Sequence, residues 1–207
     1  MVTRPKVMFD GVELFAGREC LCPDCEKTNT VDPEPPFEKL WRKNVPEDYH
    51  KATPERVRES LRGALAWRPG RQKGIGIYGP SNSGKTHALA LAVRGLERIF
   101  RWTTGPAMRQ LAIDAAMLDG EDRAEARKRL ATLRDTPLLV IDDIAEAKFT
   151  EAWTDKLFEI LEHRNGRRLI TCWTAQHGPG QLCRIIGGSS GEALERRLCQ
   201  DHALFSA

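Results

Sequence analysis

The chain has 207 residues, 41% of them hydrophobic and 29% charged, with a net charge of +3 and a pI near 8.6; it has room for one α/β domain with a good core and a short extension, and excludes two large domains. No apolar run approaches the ~18 residues of a membrane span, and the opening residues Met1-Val-Thr-Arg-Pro-Lys6 lack the apolar core of a secretory signal, so no membrane partner and a cytoplasmic setting are expected. So small a net charge is only a weak pointer to nucleic acid, which has to be sought in local patches.

Residues 1–36 read as a small N-terminal module, irregular and ending in the proline-rich Val31-Asp-Pro-Glu-Pro-Pro36. They carry Cys20, Cys22 and Cys25, while Cys172, Cys183 and Cys199 are scattered. Three cysteines within six residues do not make a disulfide framework. Cys22-Pro-Asp-Cys25 has the spacing that lets two thiolates bind one zinc ion, with Cys20 as a third ligand; no fourth stands nearby, which leaves His50, a core cysteine or another subunit to complete the site. The alternative is a tail whose cysteines bind nothing.

Residues 37–207 carry the domain. Thr53-Pro54 followed by Val57, Leu61, Ala64 and Leu65 predicts a helix to about Trp67, stopped by Pro69-Gly70. Strands are then predicted at Gly74–Tyr78, Arg101–Thr104, Leu138–Ile141, Leu169–Trp173 and Ala203–Phe205. Helical spacing fills the intervals at Lys85–Phe100, Pro106–Leu118, Glu121–Arg134 and Glu151–Arg164. That alternation predicts an α/β fold: a five-stranded parallel sheet flanked by helices.

Between the first of these strands and its helix stands Gly79-Pro80-Ser81-Asn82-Ser83-Gly84-Lys85-Thr86. Glycines at that spacing let backbone N–H groups wrap a triphosphate at a helix N-terminus, where the helix dipole also favours anions. Lys85 is placed to reach the β- and γ-phosphates and the Thr86 hydroxyl to bind magnesium. Leu138-Leu-Val-Ile141 is apolar enough for a central strand and delivers Asp142 and Asp143 at its carboxyl end. Asp142 is the expected magnesium partner. Asp143 either orients and polarises the attacking water or caps the loop. Together these residues predict a P-loop site for ATP and magnesium.

Trp102 and Trp173, on predicted strands, read as core. Arg123, Arg127, Lys128, Arg129 and Arg134 share a helical pattern that serves either as a groove for a single-stranded DNA backbone or as a salt-bridged surface with Asp119, Glu121, Asp122 and Glu125.

Three features resemble the helicase-loader branch of the AAA+ ATPases, the group of DnaC, DnaI and the transposition ATPase IstB: Val45-Pro-Glu-Asp-Tyr49-His-Lys-Ala52 before the core, Gly84-Lys-Thr-His87 closing the phosphate loop, and the pair Asp142-Asp143. The resemblance spans residues 45–205 and implies an AAA+ core that hydrolyses ATP, with His87 joining the nucleotide site. It implies a γ-phosphate sensor at the end of the next strand, assigned to Thr174 with Thr171 and Gln176 as rivals, since the usual asparagine is missing. It also implies an arginine finger supplied to a neighbouring subunit. Arg197 in Glu195-Arg-Arg-Leu198 fits that position, unless Arg196 and Arg197 are simply a solvated helix face. A finger in trans requires a homo-oligomer. No helical lid is expected after Phe205, and residues 1–36 are the candidate docking module for the partner. The implied function is loading a replicative helicase onto DNA. The alternatives are a transposition ATPase of the IstB type, a small-molecule P-loop kinase, and a nucleotide-binding scaffold with negligible turnover.

Overall fold

The structure is a computed structural model, described for residues 6–9, 12–15, 36–70, 73–146, 149–186, 188–199 and 202–207. Two short strands, β1 (Lys6–Phe9) and β2 (Val12–Phe15), pair antiparallel. They correct the expectation of a wholly irregular N-terminal segment. Cys20, Cys22 and Cys25, and with them the zinc expectation, lie outside the described residues.

Pro36 opens helix α1 (Pro36–Asn44), where proline is tolerated because a first-turn N–H has no helical partner. A bidentate pair from Arg94 to Glu38 (3.0 and 2.7 Å) and a bond from Trp41 Nε1 to the Ala90 carbonyl (3.2 Å) strap α1 to the helix that follows the phosphate loop. The helix expected from Thr53 to Trp67 is broken into two single 3₁₀ turns (Pro54–Arg56 and Glu59–Leu61) and a short helix α2 (Arg62–Ala66), because Val57 takes an extended conformation.

The core elements are β3 (Gly74–Tyr78), α3 (Lys85–Arg94), β4 (Phe100–Thr104), α4 (Gly105–Met117), α5 (Gly120–Asp135), β5 (Leu138–Asp142), α6 (Glu151–Gly166), β6 (Ile170–Ala175), α7 (Pro179–Ile186), α8 (Gly188–Cys199) and β7 (His202–Ser206). The five strands form one parallel sheet in the order β4-β5-β6-β3-β7. The pleat sends alternate side chains to opposite faces. On one face Ile75, Ile77, Leu138, Val140, Ile170 and Cys172 pack with Leu40 and Trp41 of α1, Leu61 of the second 3₁₀ turn, Ala64 of α2, and Leu89 and Val93 of α3. On the other, Leu139, Ile141, Trp173 and Ala175 pack with Met108, Trp153, Leu157, Ile160, Leu182 and Leu194 of α4, α6, α7 and α8. Each such fully buried Leu or Ile contributes roughly 1.5–3 kcal/mol. Trp173 is fully buried, and Trp102 packs against the first cluster.

In this order β3 sits between β6 and β7 while its crossover runs to the far edge at β4. The connection leaving β3 runs toward β4 and the one leaving its neighbour β6 runs the other way to β7, so the two diverge at their carboxyl ends, where a doubly wound sheet opens a crevice for ligand.

Candidate nucleotide site

The phosphate loop joins β3 to α3. Gly84 has φ +88°, a conformation that side chains rarely adopt, and it starts α3 so that the first N–H groups of the helix face the loop. Ser83 is buried and its hydroxyl has no hydrogen-bond partner. A buried hydroxyl without a partner is costly in isolation and suits a phosphate ligand. Lys85 is only 6% exposed, and its Nζ donates to the Pro80 carbonyl at 2.8 Å, closing the loop on itself.

Tyr49, Ser81, Asn82, Ser83, Gly84, Lys85, Thr86, His87, Asp143, Glu146 and Gln176 line one cleft of about 380 Å³. His87 Nε2 lies 3.2 Å from the Thr53 carbonyl and ties the segment before α2 to the loop. His50, one of the suggested fourth zinc ligands, instead has its Nε2 2.9 Å from the Val45 carbonyl and its ring on Trp41.

Behind the cleft runs a chain of hydrogen bonds. Thr86 Oγ1 donates to Asp142 Oδ1 at 2.9 Å, and Thr174 Oγ1 donates to the same oxygen at 2.6 Å. The Asp143 N–H donates to Thr174 Oγ1 at 2.8 Å, and the Ile144 N–H to the Thr174 carbonyl at 3.0 Å. Loop, β5 and β6 are thus fixed to one another through Asp142. Burial pushes the Asp142 carboxyl above its usual range, opposed by the hydrogen bond from Thr174. Burial, and then the charge of Glu146, push Asp143 up as well. Asp143 has φ +49°, and its carbonyl lies where a β-carbon on Gly105 would approach to 2.6 Å. The first residue of α4 must therefore be glycine for β4 to pass this loop.

Thr174 is fully buried and its hydroxyl is spent on Asp142 and Asp143, so it braces the acidic pair and does not line the cleft. Thr171 is buried and accepts from Arg164 Nε at 2.9 Å. Of the three polar residues considered, Gln176 is the one in the cleft. Tyr49 and Glu146 are cleft residues that motif reading passed over. Tyr49 lay within a noted element, and Glu146 carries no local signature. Arg197 stands on α8, ion-paired with Glu162 of α6 and 5.8 Å above the Phe158 ring, outside the cleft of its own chain.

Three of the five basic residues of α5 are engaged locally. Arg123 bonds the Leu118 carbonyl and Asp119, Arg127 the Ala115 carbonyl, and Arg134 its neighbour Asp135. Lys128 and Arg129 instead border a groove of about 660 Å³ together with Arg101 and Trp102. Cys172 is fully buried, its thiol pushed up to about 12 by burial. Among the described residues no group of three or more His, Cys, Asp or Glu side chains is arranged to hold a metal ion, and no helix is long and apolar enough to cross a membrane.

A five-stranded parallel sheet with a phosphate loop after β3 and paired carboxylates at the end of β5 defines a P-loop domain of the AAA+ class. Residues 42–187 match the family of IstB-like ATP-binding proteins, more than half of the chain, and the chain belongs to that family. No match is found among curated proteins. Among solved structures the fold is similar to that of DnaI (TM-score 0.60, 17% identity, covering 78% of this chain and 90% of that one). It is also similar to the DnaC helicase loader (TM-score 0.57, 18% identity, 81% and 98%). A third similar structure is the replication initiator DnaA bound to AMPPCP and single-stranded DNA (TM-score 0.59, 18% identity, 78% and 50%).

Replacing Lys85 with alanine is expected to weaken ATP binding at least ~10-fold, since it removes both a phosphate-facing charge and the bond that closes the loop. Titration with a fluorescent ATP analogue measures this. Affinity equal to that of the parent protein would overturn the phosphate-site assignment.

Proposed function

We propose that this chain is an ATP-hydrolysing AAA+ protein that assembles through its nucleotide sites and delivers a replicative helicase to single-stranded DNA. The observation that carries the reading is the bonded series Thr86–Asp142–Thr174–Asp143, which joins the phosphate loop to the two strands that end beside it. A site that only held a nucleotide would need the loop alone. This one also fixes a second carboxylate, Asp143, at the rim of the cleft.

The Thr86 hydroxyl and the Asp142 carboxylate are hard oxygen donors 2.9 Å apart, a pair that suits magnesium. Bound there, magnesium neutralises charge on the phosphates. Lys85 and the N–H groups at the start of α3 bind the phosphates, and Asp143 accepts a proton from the water it orients. Its raised pKa brings it closer to working pH, where a general base is most effective. Gln176 takes the sensing position at the end of β6.

Arg197 lies outside its own cleft, which fits a residue that serves a neighbour. Lys128 and Arg129, with no ion pair among the described residues, are the side chains of α5 left for a phosphate backbone. The described DnaC is a helicase loader, and the described DnaA carries single-stranded DNA. The family match favours a second reading of the partner, a transposase in place of a helicase.

The test is the ATPase rate with and without single-stranded DNA over a range of protein concentrations, for the parent protein and Arg197→Ala. A rate that climbs steeply with concentration, rises with DNA, and falls at least ~10-fold in the variant is expected of a finger acting in trans. A flat rate indifferent to DNA and to Arg197 would overturn the loader reading. Phosphate passing to an added acceptor instead of water would identify a kinase.

A further inference from the structure

We propose that Glu146 is a positioning residue for ATP hydrolysis, which acts by holding the carboxamide of Gln176 at the Asp143 end of the cleft. The inference rests on reading the site as hydrolytic and adds a residue that the loop and acidic motifs do not contain.

Glu146 lies in the turn after β5, and its N–H donates to the Asp143 carbonyl at 3.1 Å. The turn therefore sets Glu146 and Asp143 side by side. Gln176 is the first residue beyond β6, and its Nε2 donates to Glu146 Oε1 at 3.0 Å. Both side chains line the same cleft as Lys85, Thr86 and Asp143.

The chemistry of this bond fixes more than a distance. An ionised carboxylate only accepts, so Glu146 selects which end of the amide it holds: Nε2 faces Glu146, and the amide oxygen and the second N–H remain for other partners. Glutamine is otherwise a flexible side chain with several rotamers. Fixing it before the substrate arrives removes that ordering step from the reaction, which is how a group that never touches the reacting atoms raises a rate. The loop that carries Glu146 is itself anchored, through the Asp143 and Ile144 N–H groups, to Thr174 on the strand that leads to Gln176. A shift of β6 against β5 would move donor and acceptor apart.

The test is a double-mutant cycle read by single-turnover hydrolysis and ATP affinity: Glu146→Ala, Gln176→Ala and the two combined, with Glu146→Gln as the conservative variant. Glu146 is exposed, so Glu146→Ala is expected to melt with the parent protein. Its hydrolysis rate should fall about 10-fold, the scale of a misplaced positioning group, with KM nearly unmoved. Gln176→Ala should lose as much, and the double variant no more than Gln176→Ala alone, because one residue acts through the other. Glu146→Gln, whose amide oxygen still accepts from Nε2, should restore most of the rate. Losses that multiply in the double variant, or a Glu146→Ala rate equal to the parent's, would overturn the assignment. Asp143→Asn separates the two levels of the argument. If it hydrolyses ATP at the parent rate, the hydrolytic reading itself has failed. If it is inactive while Glu146→Ala is unaffected, only the Glu146 role has.

Discussion

Asp143→Asn is expected to retain bound ATP and lose its hydrolysis, with the single-turnover rate falling by about 10²–10⁴-fold, the usual contribution of a general base. Asparagine is the substitution that isolates the charge. At φ +49° most residues would strain the turn, but asparagine tolerates the left-handed region and can keep the backbone in place. The Asp143 N–H bond to Thr174, the packing of its carbonyl over Gly105 and the shape of the cleft should all survive. Only a proton acceptor is removed. Removing one carboxylate from beside Glu146 also relieves a like-charge contact, so ATP affinity should stay level or improve slightly. Quenched-flow hydrolysis paired with equilibrium titration of the same sample measures both. A rate unchanged in the variant would reduce Asp143 to a loop cap and make the nucleotide an assembly ligand only.

The legibility of this site in the sequence follows from how far apart its parts lie in the chain. The phosphate loop is written in contiguous residues whose roles depend on local geometry, so Gly84, Lys85 and Thr86 could be assigned by position alone. The Leu138–Ile141 run could be read because a strand buried on both faces has no polar residues to alternate with. The end of β6 was different. Whether Thr174 or Gln176 meets the cleft depends on the register Ile141↔Trp173 between β5 and β6, a tertiary fact that no window of sequence contains. Nor does the sequence show that the Lys85 side chain is drawn in to the Pro80 carbonyl.

Elements went astray where periodicity outran the backbone. Leu89, Val93, Leu96 and Phe100 continue a helical spacing, yet α3 stops at Arg94, and Phe100 opens β4 and buries itself in the sheet core. Glu97, with φ +47°, marks the turn between them. Helices α7 and α8 escaped notice because glycines at 187, 188 and 191 interrupt the pattern. Gly191 is nonetheless kept inside α8, since a β-carbon there would come within 2.6 Å of the Cys183 carbonyl.

Arg164 is where a single substitution should cost the fold most. It is fully buried, and its guanidinium donates to Thr171 Oγ1 (2.9 Å) and to the carbonyls of Leu133 (3.0 Å), Arg134 (2.9 Å), Thr136 (2.9 Å) and Ile170 (2.5 Å). Two of those carbonyls belong to the last turn of α5, which has no further helix to bond, and the positive charge suits that end of the dipole. Burial lowers the Arg164 pKa to about 10, leaving it charged at neutral pH. Arg164→Met keeps the bulk and removes every donor, so four carbonyls and a hydroxyl lose their partner together. Leaving several buried acceptors unsatisfied at once, each costing ~1–3 kcal/mol where fully desolvated, is expected to lower stability by about 3–5 kcal/mol, or the melting temperature by roughly 10 °C for a domain of this size. Arg164→Lys should recover only part of this, since one ammonium cannot span acceptors on α5 and on β6 as the planar fork does. The same contacts set the start of β6 against the end of α5, and with it the register that brings Thr174 to Asp142. Hydrolysis in Arg164→Met measured well below its melting point should therefore fall more than ATP binding does. A melting curve that coincides with the parent's would show that the fork contributes little, and that the register of β5 and β6 is held by their packing alone.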